Sequence, residues 1–360
     1  MRLLLAAGGT GGHVFPALAL ARVAREAGHR ATLLGGAGGM EERLASADGV
    51  PFVGVATGKW DRQRPDPRQA WRAARGLAAA IATARRLRPD VVVGFGGFAS
   101  FPGCVAAVVT GTPLLLHEGN AHPGRVTRWF ASRAAAVALA MPEAEERLPQ
   151  ARRRETVGFP VRERRVARAQ ARARLGLPVD ATVTLAMGGS QGSVALNRLL
   201  PELYRDLPEA TRGTVLHAAG ERWQDELHDA TRDLADYRTT GFVDATLAWS
   251  AADLAIVRSG VSTLSEAAFH GVPVITVPLP TSADDHQRVN ARAVADAGGG
   301  FAVEQDDPVG LADAWRALLD PERRRVAAAA IAVRSPQGAA ERLLSLAHEL
   351  AGEAKDEDRG

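Results

Sequence analysis

The chain has 360 residues, 46% of them apolar and 24% charged, and a net charge of +3. At about 100–200 residues per domain, this length predicts two domains. The composition excludes a disordered tail protein, a collagen and a disulfide miniprotein. Cys104 is the only cysteine. No intrachain disulfide or cysteine metal cage can therefore form, which fits a cytosolic compartment. Lys59 and Lys355 are the only lysines, so arginine supplies the other 42 of the 44 basic residues. Its planar fork grips two phosphate oxygens together.

Residues 2–7 (RLLLAA) predict a buried strand. They do not suit a signal peptide, because the apolar stretch is short and no cleavage site follows. No run of about 20 apolar residues occurs that could span a bilayer. Gly8-Gly9-Thr10-Gly11-Gly12-His13 follows, then a helix expected over 16–27 with Pro16 near its start, then a strand over 31–34. This is a β-loop-α-β unit of a parallel sheet. Residues 68–88 predict a basic helix, with Trp71, Leu77, Ile81 and Leu87 on or near one side and arginines at 72, 75, 85, 86 and 88 beside them. Such a stretch either buries its stripe in the core or lies on anionic lipid.

Further along, the strand Asp90–Val93 leads into Gly94-Phe95-Gly96-Gly97-Phe98-Ala99-Ser100, a helix, Gly111-Thr112-Pro113 and the strand 114–117. The linker is expected near 157–164 (VGFPVRER), and a basic helix over 163–174 opens the second half. There the pattern repeats. A buried strand over 182–187 runs into Gly188-Gly189-Ser190-Gln191-Gly192-Ser193 and a helix near 194–204. The strand 253–257 runs into Arg258-Ser259-Gly260-Val261-Ser262, a helix, Gly271-Val272-Pro273 and the strand 274–277. Repetition of this order predicts two Rossmann-like α/β domains.

Glycine loops between a strand and a helix let backbone N–H groups approach an anion. Neither loop is a dinucleotide fingerprint: from Gly9 the sixth position is Val14, and the second strand ends in Leu34-Gly35-Gly36 with no carboxylate for a ribose. No Walker motif occurs. His13 closes the first loop, where ligands bind in such folds, and imidazole suits proton removal near neutral pH. Further acid-base candidates are His117-Glu118 at a strand end and His286 in a polar loop. Glu266, expected in the first turn of a helix, reads either as a helix-dipole or capping carboxylate or as an acceptor for two sugar hydroxyls. These groups lack metal-ligand spacing, so no protein-bound metal is expected. Aromatics are only 5% of the chain, and no nucleic-acid signature is present, so no nucleic-acid partner is expected.

Five segments in this order, GGTGGHVFPALA (8–19), HEGN (117–120), GGSQG (188–192), RSGVSTLSE (258–266) and DDHQRVNA (284–291), resemble the MurG family of bacterial N-acetylglucosaminyltransferases. The resemblance covers about residues 1–350. It implies a GT-B fold, two Rossmann-like parallel-sheet domains facing across a cleft. It implies an N-terminal acceptor and membrane domain over 1–158, a UDP-GlcNAc-binding domain over 159–335, a helix at 336–352 returning to the N-terminal domain, and a solvated tail at 353–360. The activity it implies is inverting transfer of GlcNAc from UDP-GlcNAc to the C4 hydroxyl of MurNAc in lipid I, giving lipid II and UDP. No cofactor is implied.

By the same resemblance, His13 is the base. Ser190 and Arg162 face the donor diphosphate, Val243 reads uracil through its backbone, and Val261, Ser262, Thr263, Leu264, Ser265 and Glu266 embrace the nucleotide with Glu266 on the ribose. Gln287 holds the GlcNAc hydroxyls. Thr10, Gly11, Gly12 and Asn120 also fall at donor positions, and Gly9, Thr10, Gly11 and Gly12 contact the acceptor diphosphate. Trp71 and Leu77 become contacts to the anionic inner leaflet on the cytoplasmic face of the cell membrane. Cell-wall synthesis and division proteins are implied as partners. The chain departs from the family at Gly119 (usually glutamine), Phe98 (usually tyrosine) and Phe159 (usually asparagine), all expected near the cleft. Two other functions use the same fold, a UDP-GlcNAc 2-epimerase and a nucleotide-sugar binding protein without turnover.

Overall fold

The computed structural model describes residues 1–57, 67–189 and 191–357. The chain forms two compact units, Met1–Val161 joined by the stretch from Pro336 onward, and Arg162–Ser335. The division falls after Val161 and not at 158/159. Gly158 and Phe159 are held in the first unit by His117, whose Nε2 donates to the Gly158 carbonyl at 3.1 Å and whose ring lies 5.7 Å from that of Phe159.

In the first unit, β1 (Arg2–Ala6), α1 (Gly11–Glu26), β2 (Arg30–Gly36), α2 (Met40–Ala47) and β3 (Phe52–Val55) make one half. After α3 (Pro67–Leu87) come β4 (Val91–Gly94), α4 (Phe101–Thr110), β5 (Leu114–Glu118), α5 (Arg125–Phe130), β6 (Ala136–Leu139) and β7 (Arg154–Thr156). All seven strands are parallel, in the order β3-β2-β1-β4-β5-β6-β7. Strands such as VVVG and LLLHE are buried throughout. A parallel sheet covered on both faces needs such unbroken apolar runs.

The second unit holds α6 (Arg168–Leu175), β8 (Val183–Met187), α7 (Val194–Arg205), β9 (Thr214–Ala218), α8 (Gln224–Ala230) and β10 (Tyr237–Thr240). It continues with α9 (Ala245–Ala251), β11 (Leu254–Val257), α10 (Val261–His270), β12 (Val274–Thr276), α11 (His286–Asp296), β13 (Gly300–Ala302), α12 (Pro308–Leu319) and α13 (Pro321–Val333). Its six strands are also parallel, in the order β10-β9-β8-β11-β12-β13. In each sheet the strand order reverses between two neighbours, β1 and β4 in one and β8 and β11 in the other. Ligands of open α/β sheets bind outside the strand carboxyl ends at such a reversal. Each expected glycine loop leaves one of these strands.

Two helices differ from their expected extents. α1 begins at Gly11, not near 16: Thr10 takes the N-cap position, and its carbonyl accepts from His13 N at 3.1 Å and Val14 N at 3.2 Å. Pro16 therefore lies inside the helix. The last helix, α14 (Ala339–Glu357), continues into the segment expected as tail, whose Glu, Ala and Lys are good helix formers. Leu343, Leu346, Ala347 and Leu350 of α14 join Val14, Leu18 and Ala21 of α1 in one core. The Arg342 guanidinium donates to the Val157 carbonyl at 3.0 and 2.8 Å.

Leu346 is 2% exposed. Leu346→Ala should cost about 2–5 kcal/mol through lost burial and a residual cavity. The check is a lower urea midpoint for the N-terminal unit, with little change at probes in the second unit.

Candidate active site

In the first unit, the loops after β1 and β4 meet at the strand reversal. Gly96 and Gly97 have φ of +79° and +71°, a left-handed backbone that glycine adopts without strain. A side-chain carbon at Gly97 would stand 2.6 Å from the Gly8 carbonyl oxygen and 2.8 Å from His13 Nδ1, so the histidine ring lies directly on this bare turn. His13 is the third residue of α1, and its Nδ1 lies 2.9 Å from Thr10 Oγ1. The backbone N–H groups of Gly11 and Gly12 precede the first bonds of the helix. With the helix dipole they make a site for an anion beside an imidazole.

His117 and Glu118 have other work. His117 is 1% exposed, and burial pulls its pKa down to about 4, against the Gly158 bond and the Glu118 charge, which favour protonation, while His13 adds a small downward push. It is a neutral core histidine whose Nε2 proton goes to Gly158. Glu118 is buried and accepts from Asn120 N at 3.0 Å, Asn120 Nδ2 at 3.3 Å, Gly124 N at 2.9 Å and Thr127 Oγ1 at 2.6 Å. These bonds fold the loop that carries Asn120.

In the second unit, the loop after β8 leads to Ser193, the N-cap of α7. Ser190 itself lies outside the described residues. Gly189 and Gly192 have φ of +91° and +73°, and a side-chain carbon at Gly192 would stand 1.8 Å from the Ala219 carbonyl oxygen. After β11, Gly260 caps α10, so Val261, Ser262 and Thr263 present the first N–H groups; Leu264 N bonds the Gly260 carbonyl at 3.1 Å. Val261 and Leu264 face the core, while Ser262, Thr263 and Ser265 are half-buried.

Glu266 lies in the second turn of α10, beyond the first-turn position expected for a cap. One of its oxygens accepts from Trp249 Nε1 at 2.9 Å. Burial raises its pKa, against the Trp249 bond and the charge of Arg162, which lower it. Arg162 is thereby placed near Glu266, and it is exposed. Val243 lies in the turn after β10 and lines a cavity of about 700 Å³ with Thr240, Phe242 and Asp244. Gln287, in the first turn of α11, accepts from Leu279 N at 3.0 Å, and its carbonyl accepts from Ser259 Oγ at 2.7 Å. His286 Nδ1 contacts the Ala283 carbonyl at 2.6 Å, and Asp284 and Asp285 before it have φ of +51° and +55°. Such strain in non-glycine residues gathers at ligand sites.

These two sets of loops carry the motifs of a known family. Residues 3–139 match the glycosyltransferase family 28 N-terminal domain, and residues 183–343 match its C-terminal domain. The chain belongs to glycosyltransferase family 28. A Thermus thermophilus protein named UDP-N-acetylglucosamine–N-acetylmuramyl-(pentapeptide) pyrophosphoryl-undecaprenol N-acetylglucosamine transferase is 44% identical, over 96% of this chain and 98% of that protein. The protein of the same name from Deinococcus deserti is 42% identical, over 96% and 97%. The crystal structure of MurG from Acinetobacter baumannii is 29% identical with a TM-score of 0.79, covering 97% of this chain and 99% of that one. The fold is GT-B, and this family 28 member is a glycosyltransferase.

The basic helix α3 divides its expected stripe. Ala80 and Ala84 are buried, and Ile81 and Leu87 pack against the core of the first unit. Leu77 is half-buried, Ala74 is exposed and Trp71 is 66% exposed. The C-terminal part of the stripe is thus core, and Trp71 with the flanking arginines is what solvent meets. Sequence reasoning assigned no role to Trp249 or Arg258. Nothing local marks Trp249 as a partner of Glu266. Arg258 did carry a signal, a charge placed directly after the buried strand LAIV.

Buried His117 binds a proton in the unfolded chain at pH values where the native protein does not. Its contribution to stability is therefore intact above about pH 6.5 and falls as pH drops toward its native value of about 4. His217, buried and pulled down to about 3, acts in the same direction in the second unit. The urea midpoint should fall between pH 7 and 4.5, with a shallower fall for His117→Gln. Equal slopes would remove His117 from this account.

Proposed function

We propose that this glycosyltransferase moves GlcNAc from UDP-GlcNAc to the C4 hydroxyl of MurNAc in lipid I, with inversion, releasing UDP and forming lipid II for peptidoglycan. One observation carries the proposal: each domain bears glycine loops at its strand reversal, one with an imidazole and the other with a nucleotide-type constellation, in a chain that aligns over 96% of its length with relatives named for this reaction.

The acceptor hydroxyl must lose a proton as it attacks the anomeric carbon, and the leaving diphosphate gains negative charge. His13 is the base. If Nδ1 gives its proton to Thr10 Oγ1, Nε2 is left as the proton acceptor. Gly9, Thr10, Gly11 and Gly12 hold the acceptor diphosphate at the start of α1. The 188–192 backbone with Ser190, the α7 N-terminus and Arg162 stabilise departing UDP. Glu266 holds the ribose hydroxyls, its orientation fixed by Trp249. Val243 and the 261–265 turn hold the nucleoside, Gln287 the sugar, and Asn120 completes the donor contacts.

The test is UDP release from UDP-GlcNAc with and without a short-chain lipid I analogue, with products identified by mass. Acceptor-dependent UDP and a GlcNAc–MurNAc product are expected. Acceptor-independent interconversion of the sugar would indicate an epimerase, and binding without either reaction a nucleotide-sugar binding protein. His13→Ala should keep UDP-GlcNAc binding and lose about 10²–10⁴-fold in transfer. Wild-type rates in that variant would take the base role from His13.

Lipid I lies in the bilayer, and no helix among the described residues is long and apolar enough to cross a membrane. The proposal therefore includes peripheral attachment to the cytoplasmic face through the exposed end of α3. Trp71 and half-buried Leu77 enter the interface while Arg72, Arg75, Arg85, Arg86 and Arg88 meet anionic headgroups. Replacing Trp71 and Leu77 by polar residues should weaken binding to anionic liposomes and spare turnover of a soluble acceptor. Undiminished liposome binding would relocate the membrane contact.

A further inference from the structure

Two arginines are buried among the described residues, Arg172 and Arg258, both in the second unit. Arg172 is 2% exposed and follows the usual rule for a buried cation: its guanidinium meets the Asp253 carboxylate at 2.6 Å and donates to the carbonyls of Ala251, Val179 and Ala181. Arg258 does not. It is 9% exposed, and its four hydrogen bonds all end on neutral oxygens: Val277 O at 3.0 Å, Pro278 O at 3.0 Å, Ser193 Oγ at 2.8 Å and Gln305 Oε1 at 2.7 Å. No carboxylate pairs with it among the described residues.

A buried charge without a partner costs several kcal/mol. Hydrogen bonds to carbonyls satisfy its N–H groups but leave its charge uncancelled. The location of that charge is informative. Arg258 follows β11 directly, at the strand reversal, and its Nη2 bonds the serine that caps α7 and ends the 188–193 glycine loop. One guanidinium therefore ties together the glycine loop, the turn after β12 and Gln305. It also adds its positive charge to that of the α7 N-terminus.

We propose that Arg258 is a positioning residue for the donor diphosphate: its unpaired buried charge awaits the phosphates of the nucleotide, and its fork sets the glycine loop that receives them. This rests on the proposed donor site and adds to it a residue that need not touch the substrate. The Ser193 side chain is the link, since the same hydroxyl accepts from Leu196 N at the helix start and from Arg258. An anion arriving at the loop finds a cation whose desolvation was completed on folding. The interaction is therefore stronger than one with a solvated arginine.

The experiment compares binding of UDP and of uridine by calorimetry to the wild-type chain, Arg258→Gln and Arg258→Lys. In the wild type UDP should bind far more tightly than uridine. Arg258→Gln should weaken UDP by about 10–100-fold, the range of a lost charge-assisted interaction, and leave uridine within about twofold. Arg258→Lys keeps the charge and loses the fork, so it should recover a large part of the UDP preference. It also serves as the informative variant if Arg258→Gln does not fold. Equal losses for UDP and uridine would reduce Arg258 to a structural staple, and an unchanged preference for UDP in both variants would overturn the proposal outright. A wild-type chain that binds neither ligand would instead overturn the donor-site reading, and this proposal with it.

Discussion

A side-chain carbon at Gly97 would stand 2.6 Å from the Gly8 carbonyl oxygen, and one at Gly192 would stand 1.8 Å from that of Ala219. Both are closer than any real carbon tolerates. At Gly97 the constraint arises where β1 and β4 deliver their loops to the same place at the reversal of strand order, and at Gly192 where the neighbours β8 and β9 do so beside it. Only bare backbone fits there. Bare glycine loops also leave peptide N–H groups uncovered at the start of α1 and α7, the kind of helix terminus that favours an anion.

The two domains use that geometry differently. At the first reversal an imidazole is set onto the glycine turn, beside His117, which burial keeps neutral, and Glu118, which accepts from four donors. At the second reversal the buried groups are a guanidinium and a carboxyl. Arg258 meets no carboxylate among the described residues, and Glu266 keeps one oxygen on Trp249 while burial raises its pKa.

Much of this was legible in the sequence. The repeated order of buried strand, glycine loop and helix marked both reversals, because apolar runs and glycines are local signals. The start of α1 was not legible. Gly11, Gly12 and Pro16 argue against helix by propensity, yet Thr10 and the tertiary setting begin the helix at Gly11. His117-Glu118 looked like an acid-base pair because spacing cannot report burial. The stripe on α3 had two meanings that periodicity cannot separate, and the structure gives one to Ile81 and Leu87 and leaves Trp71 exposed. The motif singles out Glu266, whereas its partner Trp249 lies on α9 and only the fold joins them.

The departures from the family motif fall into the structure unequally. Phe159 is 2% exposed and packs on His117, where an aromatic ring suits a histidine that burial keeps neutral. Phe98 is 49% exposed, and its ring lies 6.3 Å from that of Phe101, nearly parallel to it, so a hydroxyl lost there is lost to solvent and substrate rather than to the core. At Gly119 the loop does not depend on the missing side chain. Glu118 anchors it through Asn120, Gly124 and Thr127, and none of those bonds passes through residue 119. The loop that presents Asn120 therefore keeps its shape with glycine in place of glutamine. These substitutions leave the strand reversal and its glycine turns as the fold requires them.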